Sequence, residues 1–282
     1  MVSDIAKLKA TPSVRVFAYP GLRELLLQPN FSATTSQYVT DSAGRPITPN
    51  PLLNVKVRQA LSLAINRQAI VDHILLGAAT VANQWMPKGT IGYNPDLEDI
   101  PYAPDQAKKL LAEAGYPGGF NLTLQAPADR YPQAPDVAQA VGQFWTRIGV
   151  KTTIEAVPGA VYLSHAQKGD YAISMIAWGN GTGEAGYAMV NILATVDIPH
   201  GLGASNWGRY SSKQVDALTQ QISKEFDEKK QEALMRQAAA IVRQDEGILP
   251  LFHYENVWAA RKGLVVRPLT SDRTAPQMVT PE

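Results

Sequence analysis

The chain has 282 residues, of which 45% are hydrophobic, enough to form one large or two moderate globular domains. Its 26 Lys and Arg residues nearly balance 25 Asp and Glu residues, so the overall charge does not predict a nucleic-acid or anionic-membrane partner. The chain has no cysteine, which excludes disulfides, thiolate metal sites and cysteine nucleophiles.

The first segment of the chain contains no secretory signal, because it lacks an apolar core and a small-residue cleavage site. Two strand-like runs follow at 14–18 and 22–27, and the Pro20-Gly21 pair predicts a turn between them. A compact domain seldom begins with loose strands. We therefore expect these strands to pair with something outside the chain.

Helix signals are strong from residue 54 onward. Asn54 and Asn66 are predicted N-caps of two helices, and Pro104 is predicted to begin a third. Further along, Ser211 is predicted to cap a helix through a capping box, and 227–244 has the apolar spacing of a longer amphipathic helix.

The middle of the chain alternates between strand and helix patterns. Strands are predicted at 120–126, 151–156 and 171–178, separated by helices at about 135–148 and 161–167. This order implies right-handed crossovers and a largely parallel sheet. The third strand is almost continuously apolar, which is typical of a strand covered on both faces.

Six segments, in this order, resemble the C-terminal half of the family 5, peptide- and nickel-type, extracytoplasmic solute-binding proteins of ABC transporters. The second has the Y-x-P-x-x-A-K-x-L-L-x-E-A-G-Y form typical of that family. The segments are NVKVRQALSLAINRQAIVDHILLGAA (54–79), IPYAPDQAKKLLAEAGYPGGFNLTL (100–124), FWTRIGVKTTIE (144–155), the strand ending in Trp178, NWGRYSSKQVDALTQQ (206–221) and DEGILPLFHYENVWAARKGLVV (245–266).

The resemblance implies an α/β fold: the C-terminal lobe of a two-lobed periplasmic-binding-protein fold, with a mixed or mainly parallel sheet covered by helices. Two strands would cross between the lobes, near 22–27 and 249–254. Residues 1–27 would be inter-lobe strands and a remnant of the N-terminal lobe, 28–254 the ligand-binding lobe, and 255–282 the return segment. Met1 would then mark an artificial or truncated start, and the protein would be periplasmic or extracytoplasmic.

The resemblance also implies capture rather than catalysis, with no cofactor. Nickel-binding members exist, but the histidine spacing predicts no metal site in this chain. A peptide or other small solute would be enclosed between two lobes by hinge closure and delivered to an ABC permease. The chain lacks most of the N-terminal lobe by this interpretation, so we expect its own affinity to be very weak. An isolated lobe also exposes its inter-lobe face, which favours a homodimer.

Candidate ligand-binding residues lie at strand ends. Trp178 ends the third predicted strand, where open α/β sheets place a ligand crevice and where the family has a binding-site tryptophan. Arg130 and Tyr131 follow the first, and the resemblance implies that such an arginine holds a ligand carboxylate. The alternatives are a core or rim aromatic for Trp178 and a solvated loop arginine for Arg130.

One position departs from the family pattern. Peptide-binding members have an aspartate three residues after the strand-end tryptophan, and this chain has Gly181 there. Asn180 or Glu184 could take its place, or the ligand lacks a free ammonium group. The glycines of 179–186 allow close approach of the backbone to a ligand. Trp207 is a further candidate for the cleft rim, with surface packing as its alternative.

A different interpretation comes from a G-x-G-x-x-G match at 181–186, directly after a strand, which is the fingerprint of a dinucleotide-dependent enzyme. The βαβ continuation and the acidic residue about 20 positions later are missing from the sequence. The four histidines are scattered and form no metal-binding spacing.

Overall fold

Helices and strands alternate through most of the chain in a computed structural model, which describes residues 2–267 and 269–282; the expectation about Met1 lies outside them. The helices are α1 (Asp4–Ala10), α2 (Val55–Leu63), α3 (Arg67–His73), α4 (Pro104–Glu113), α5 (Ala134–Arg147), α6 (Gly159–Lys168), α7 (Ala185–Ala188), α8 (Lys213–Ile222) and α9 (Glu228–Asp245). The strands are β1 (Val14–Pro29), β2 (Val39–Thr40), β3 (Ala79–Val81), β4 (Phe120–Pro127), β5 (Val150–Val157), β6 (Ile173–Gly179), β7 (Leu249–Arg261), β8 (Leu264–Val266) and β9 (Val279–Pro281).

The strands form two principal sheets, one antiparallel and one of mixed direction. One has the order β3-β7-β1-β6, with every neighbouring pair antiparallel. The other has the order β2-β4-β5, in which β4 and β5 are parallel. The expected mixed sheet is confirmed, whereas a largely parallel sheet is wrong. The reason is that β6 does not pair with β4 or β5. It pairs instead with β1, and both of these strands contain an apolar run.

Strand β1 is continuous where the sequence predicts two shorter strands. The predicted turn at Pro20-Gly21 is instead a register shift in the β1–β7 pairing, between Pro20 and Glu24. A β-carbon on Gly21 would lie 2.5 Å from the carbonyl oxygen of Tyr254, so only glycine fits this crossing. The two runs expected to pair outside the chain are therefore parts of one strand, β1, which pairs with β7 and β6 of the same chain.

Burial changes along this pair of strands. In β1 the residues from 14 to 20 are exposed or half-buried, whereas Leu22 and the leucines at 25–27 are buried. In β7 the residues from 249 to 254 are buried, and exposure increases beyond them. The outer halves of β1 and β7 therefore form a ribbon that extends beyond the hydrophobic core.

The helices begin largely where the sequence predicts. The side chains of Asn54 and Asn66 accept backbone N–H groups at the starts of α2 and α3. The cap of α8 is Ser212 rather than the predicted Ser211, one residue later. Helix α5 buries its predicted stripe against β4 and β5, and its Trp145 donates Nε1–H to the carbonyl oxygen of Leu61 at 2.9 Å.

Candidate ligand-binding site

Arg23 of β1 contacts the end of β6 and lines the same cavity as the residues that follow β4. Arg130 and Tyr131 follow β4, and Trp178 is the penultimate residue of β6. Arg23 lies on β1 opposite Gly179, and its Nη1 donates to the carbonyl oxygen of Ala177 at 2.9 Å. Arg23 therefore links the two groups of residues that the sequence predicts separately.

A cavity of about 560 Å³ opens beside Arg23. Its walls come from β1, from the turn after β4, from β7 and from the segment after β8. The lining residues are Arg23, Arg130, Tyr131, Pro132, Tyr254, Glu255, Asn256, Val257, Trp258, Asp272 and Thr274. Sequence reasoning found Arg130 and Tyr131 and missed the others. Their only sequence signal is that Tyr254 to Trp258 belong to the last family-like segment.

The turn that carries Arg130 is held in place by Tyr254 and Tyr131. Burial raises the pKa of the Tyr254 hydroxyl, which stays protonated and donates to the carbonyl oxygen of Pro132 at 2.9 Å. Tyr131 is buried, and its ring lies 5.5 Å from the guanidinium carbon of Arg130. The aromatic pair therefore holds the base of the turn in place.

The guanidinium group of Arg130 is exposed and available. Its Nε donates to the Tyr131 hydroxyl at 3.3 Å. Within residues 2–267 and 269–282, its Nη groups have no hydrogen-bond partner and no carboxylate lies within ion-pair distance. A planar guanidinium with free N–H groups matches the geometry of a carboxylate. Chemically, this wall of the cavity can bind an acidic group.

Trp178 lies next to the cavity but does not line it. It is half-buried, and its ring contacts that of Tyr187 with centroids 5.2 Å apart and planes tilted by 35°. Its neighbours Ala177 and Gly179 are the residues that contact Arg23. Because side chains alternate along a strand, Trp178 points to the other face of the sheet. It forms, with Tyr187, an aromatic surface beside the loop that follows β6.

That loop is held together by Asn180 and Glu184. The buried Asn180 Oδ1 accepts the N–H groups of Thr182 and Gly183 at 3.0 and 2.9 Å, and its Nδ2 donates to the Glu184 carbonyl at 2.8 Å. The Glu184 carboxylate caps α7 by accepting the N–H groups of Gly186 and Tyr187. Both predicted ligand-binding side chains are thus occupied in shaping the loop.

Gly181 is an exposed residue of this loop. A β-carbon added to it would meet nothing closer than Tyr187 Cε1 at 4.0 Å. The position therefore has room for a side chain. It lies beside the Trp178–Tyr187 surface, where the family resemblance places an aspartate.

Trp207 does not join the other predicted residues. It is buried, and its backbone N–H donates to Gln28 Oε1 at 3.1 Å. Gln28 pairs with Ser174 of β6, whereas Trp178 pairs with Glu24. The two tryptophans therefore lie toward opposite ends of β6, and Trp207 packs in the core rather than at the rim of the cavity.

The glycine motif at 181–186 lacks the frame of a dinucleotide site. The strand before it, β6, pairs antiparallel with β1, and the helix after it has four residues. A dinucleotide pyrophosphate would need the free N–H groups of a helix N-terminus, which Glu184 already occupies. The geometry therefore gives no support to the dinucleotide interpretation.

Within the part of the chain that the structure describes, no three His, Asp or Glu side chains come together in a group able to hold a metal ion. None of the described helices combines the length and the apolar character needed to span a bilayer.

Comparison with known families decides the classification. Residues 2–199 match the family described as bacterial extracellular solute-binding proteins, family 5 Middle. The chain belongs to this family. The resemblance of the six sequence segments is thereby confirmed.

Relatives and solved structures agree with this assignment. The chain is 31% identical over 255 residues to heme-binding protein A of Haemophilus influenzae, covering 89% of this chain and 43% of that protein. It is 30% identical to the dipeptide-binding protein of Escherichia coli, covering 95% of this chain and 48% of that protein. The structure of HbpA2 from Haemophilus parasuis superposes with a TM-score of 0.82 at 28% identity, covering 100% of this chain and 52% of the other.

The family member described here therefore has the α/β fold of the periplasmic binding proteins. It spans about half the length of the curated relatives it matches.

Proposed function

We propose that this chain forms the C-terminal ligand-binding lobe of a solute-binding protein and captures a small solute that carries a carboxylate. The observation that carries the proposal is the free guanidinium of Arg130 at the mouth of the cavity. Tyr131 and Arg23 would line the same site, with Trp178 and the backbone of 179–186 beside it. Asn180 and Glu184 would act by shaping that backbone.

A second lobe would complete the site. The chain covers 52% of the HbpA2 structure, so about half of that protein has no counterpart in this chain, and we propose that this part is the second lobe. In this chain the ribbon formed by the outer halves of β1 and β7 extends beyond the core, as expected of strands that cross between lobes. We assign 28–254 to the ligand-binding lobe, and 1–27 and 255–282 to the crossing and return segments. Burial in β1 begins at Gly21, somewhat before the boundary at 27.

The mechanism would be capture, with no chemical step. Closure of two lobes about the crossing strands would bury the solute and present a closed surface to an ABC permease. This is supported by the family assignment and by the names of the relatives, which describe binding rather than catalysis. It implies a periplasmic or extracytoplasmic location.

The relatives leave more than one class of solute open. Those compared above are named for heme and for dipeptides. A carboxylate bound by Arg130 is common to peptides and to many other small acids. At Gly181 this chain lacks the aspartate that the resemblance places in peptide-binding members, so we propose a carboxylate-bearing solute rather than peptides in general.

Ligand-observed NMR on the chain tests this, because that method detects weak binding by a single lobe. The probes would be Ala-Ala, its C-terminal amide, maltose and Ni²⁺. We expect Ala-Ala to bind and Arg130→Gln to remove its signal. Arg45→Gln is the matched control, since Arg45 is an exposed arginine near the opposite end of β4. Binding of Ala-Ala that survives Arg130→Gln would contradict the assignment of the site.

A homodimer through the exposed inter-lobe face remains a prediction. Sedimentation velocity of the chain would test it. Dissociation of such a dimer when a separately produced N-terminal lobe is added would show that the second copy occupies the surface meant for the second lobe.

A further inference from the structure

We infer that Arg23 is a second acid-binding residue of this site, and that the cavity selects a solute with two separate acidic groups. The inference rests on the proposed function, because it takes Arg130 as the residue that binds the first carboxylate. In this arrangement the Asp272 carboxylate pairs with Arg23 until the second acidic group of the solute takes the place of Asp272.

Arg23 is well placed for that role. It lies in a strand rather than in a loop, and its position is set by the pairing of β1 with β6 opposite Gly179. A β-carbon on Gly179 would lie 2.9 Å from Arg23 Nη2, so glycine makes room for the guanidinium. The bond from Nη1 to the Ala177 carbonyl anchors it without using Nε or Nη2.

Those two nitrogens both contact a carboxylate of the chain itself. Arg23 Nε donates to Asp272 Oδ2 at 2.7 Å, and Nη2 lies 2.5 Å from the same oxygen. Asp272 therefore marks the position of an acidic group on the wall of the cavity. A second carboxylate at this position would find its donors already in place.

The contact between Arg23 and Asp272 is suited to exchange. The two side chains are 35% and 45% exposed, and an ion pair this close to solvent is weak. The segment that carries Asp272 is held separately, because Asn256 Nδ2 donates to the carbonyl oxygens of Leu269 and Thr270. Asp272 can turn toward solvent without detaching this wall.

The charged residues that line the cavity then determine which charges a bound solute should carry. With Asp272 turned away, Arg23 and Arg130 face a single acidic lining residue, Glu255, which has no ion pair within the described residues. Two acidic groups would neutralise the two arginines, and an amine would neutralise Glu255. Such charges occur together in a small peptide with one acidic side chain.

The dipeptides Ala-Glu and Ala-Gln test this, because they have nearly the same shape and differ by one carboxylate. Their dissociation constants would be measured by NMR titration of the chain. We expect the wild type to bind Ala-Glu about tenfold more tightly, since a charge-assisted hydrogen bond replaces a neutral one. Arg23→Gln should reduce this ratio to near one, and Arg45→Gln should leave it unchanged.

Asp272→Asn provides a second test that leaves Arg23 in place. It removes the competing carboxylate, so the preference for Ala-Glu should increase several-fold. A wild type that binds both dipeptides equally, or an Arg23→Gln variant that keeps the preference, would overturn the inference and leave the proposed function standing. A wild type that binds neither dipeptide would instead count against the proposed function itself.

Discussion

Glu24 of β1 and His253 of β7 lie directly opposite each other in the antiparallel pair, and both are buried. Burial raises the pKa of the Glu24 carboxyl well above its usual range and lowers the pKa of His253 to about 4. The nearby guanidinium of Arg67 opposes the shift of Glu24. The strands that we assign to the crossing between lobes therefore carry two buried titratable groups whose charged forms burial disfavours.

The lowered pKa of His253 predicts a loss of stability in acid. Below about pH 6.5 the unfolded chain binds a proton at this histidine, whereas the folded chain does not until about pH 4. Folding stability is therefore lost as the pH falls from 6.5 to 4. Between pH 7.5 and 4.5 the wild type should lose about 2–3 kcal/mol more unfolding free energy than His253→Gln.

Urea unfolding at several pH values would measure this difference. Glu246, whose pKa burial raises to about 7, has the opposite pH dependence, but it is present in both proteins and cancels in the comparison. His73→Gln is the control, because His73 is exposed on α3. Parallel pH profiles for the wild type and His253→Gln would contradict the prediction.

Gly119 should tolerate no side chain. A β-carbon there would lie 1.8 Å from the carbonyl oxygen of Gly149, and its φ of +70° is in the left-handed region. We expect Gly119→Ala to lower the unfolding free energy by about 3 kcal/mol or more. Gly44→Ala is a matched control, with a φ of +80° and no atom within 4 Å, and should lose about 1 kcal/mol. Equal losses in urea unfolding would show that the close approach does not matter.

Gly181→Asp should create a site for a ligand ammonium group. The position has space for the side chain, and the resemblance to peptide-binding members supplies the reason for aspartate. We expect the variant to bind Ala-Ala several-fold more tightly than the wild type does, with no gain for N-acetyl-Ala-Ala. Gly181→Asn is the control, because asparagine has nearly the same shape as aspartate but no negative charge. An equal gain for the acetylated peptide would show that the new side chain does not contact the amine.

Local signals in the sequence predicted much of the fold. The caps at Asn54 and Asn66, the stripe of α5 and the β4–α5–β5 unit all depend on residues close together in the chain. The pairing of β1 with β6 and β7 depends on residues more than 140 positions apart, and apolar runs do not specify their partner. That is why the parallel continuation through β6 and the turn at Pro20 were predicted wrongly.

The residues of the candidate site also differ in whether local sequence signals could predict them. Arg130 and Trp178 could be predicted as candidates because they lie just after or near the end of strands that the sequence shows. Arg23 could not, because its place beside Arg130 is set by strand pairing. Trp207 illustrates the converse: the sequence does not reveal that its segment packs beside Gln28, away from the cavity.

The most direct test of the account is a double-mutant cycle between Arg130 and the carboxylate of a ligand. The dissociation constants of Ala-Ala and its C-terminal amide would be measured with the wild type and with Arg130→Gln. We predict that amidation weakens binding to the wild type by about 10- to 100-fold and has little effect on binding to the variant. Equal losses on amidation in both proteins would show that Arg130 does not bind the carboxylate, and would contradict the proposed site.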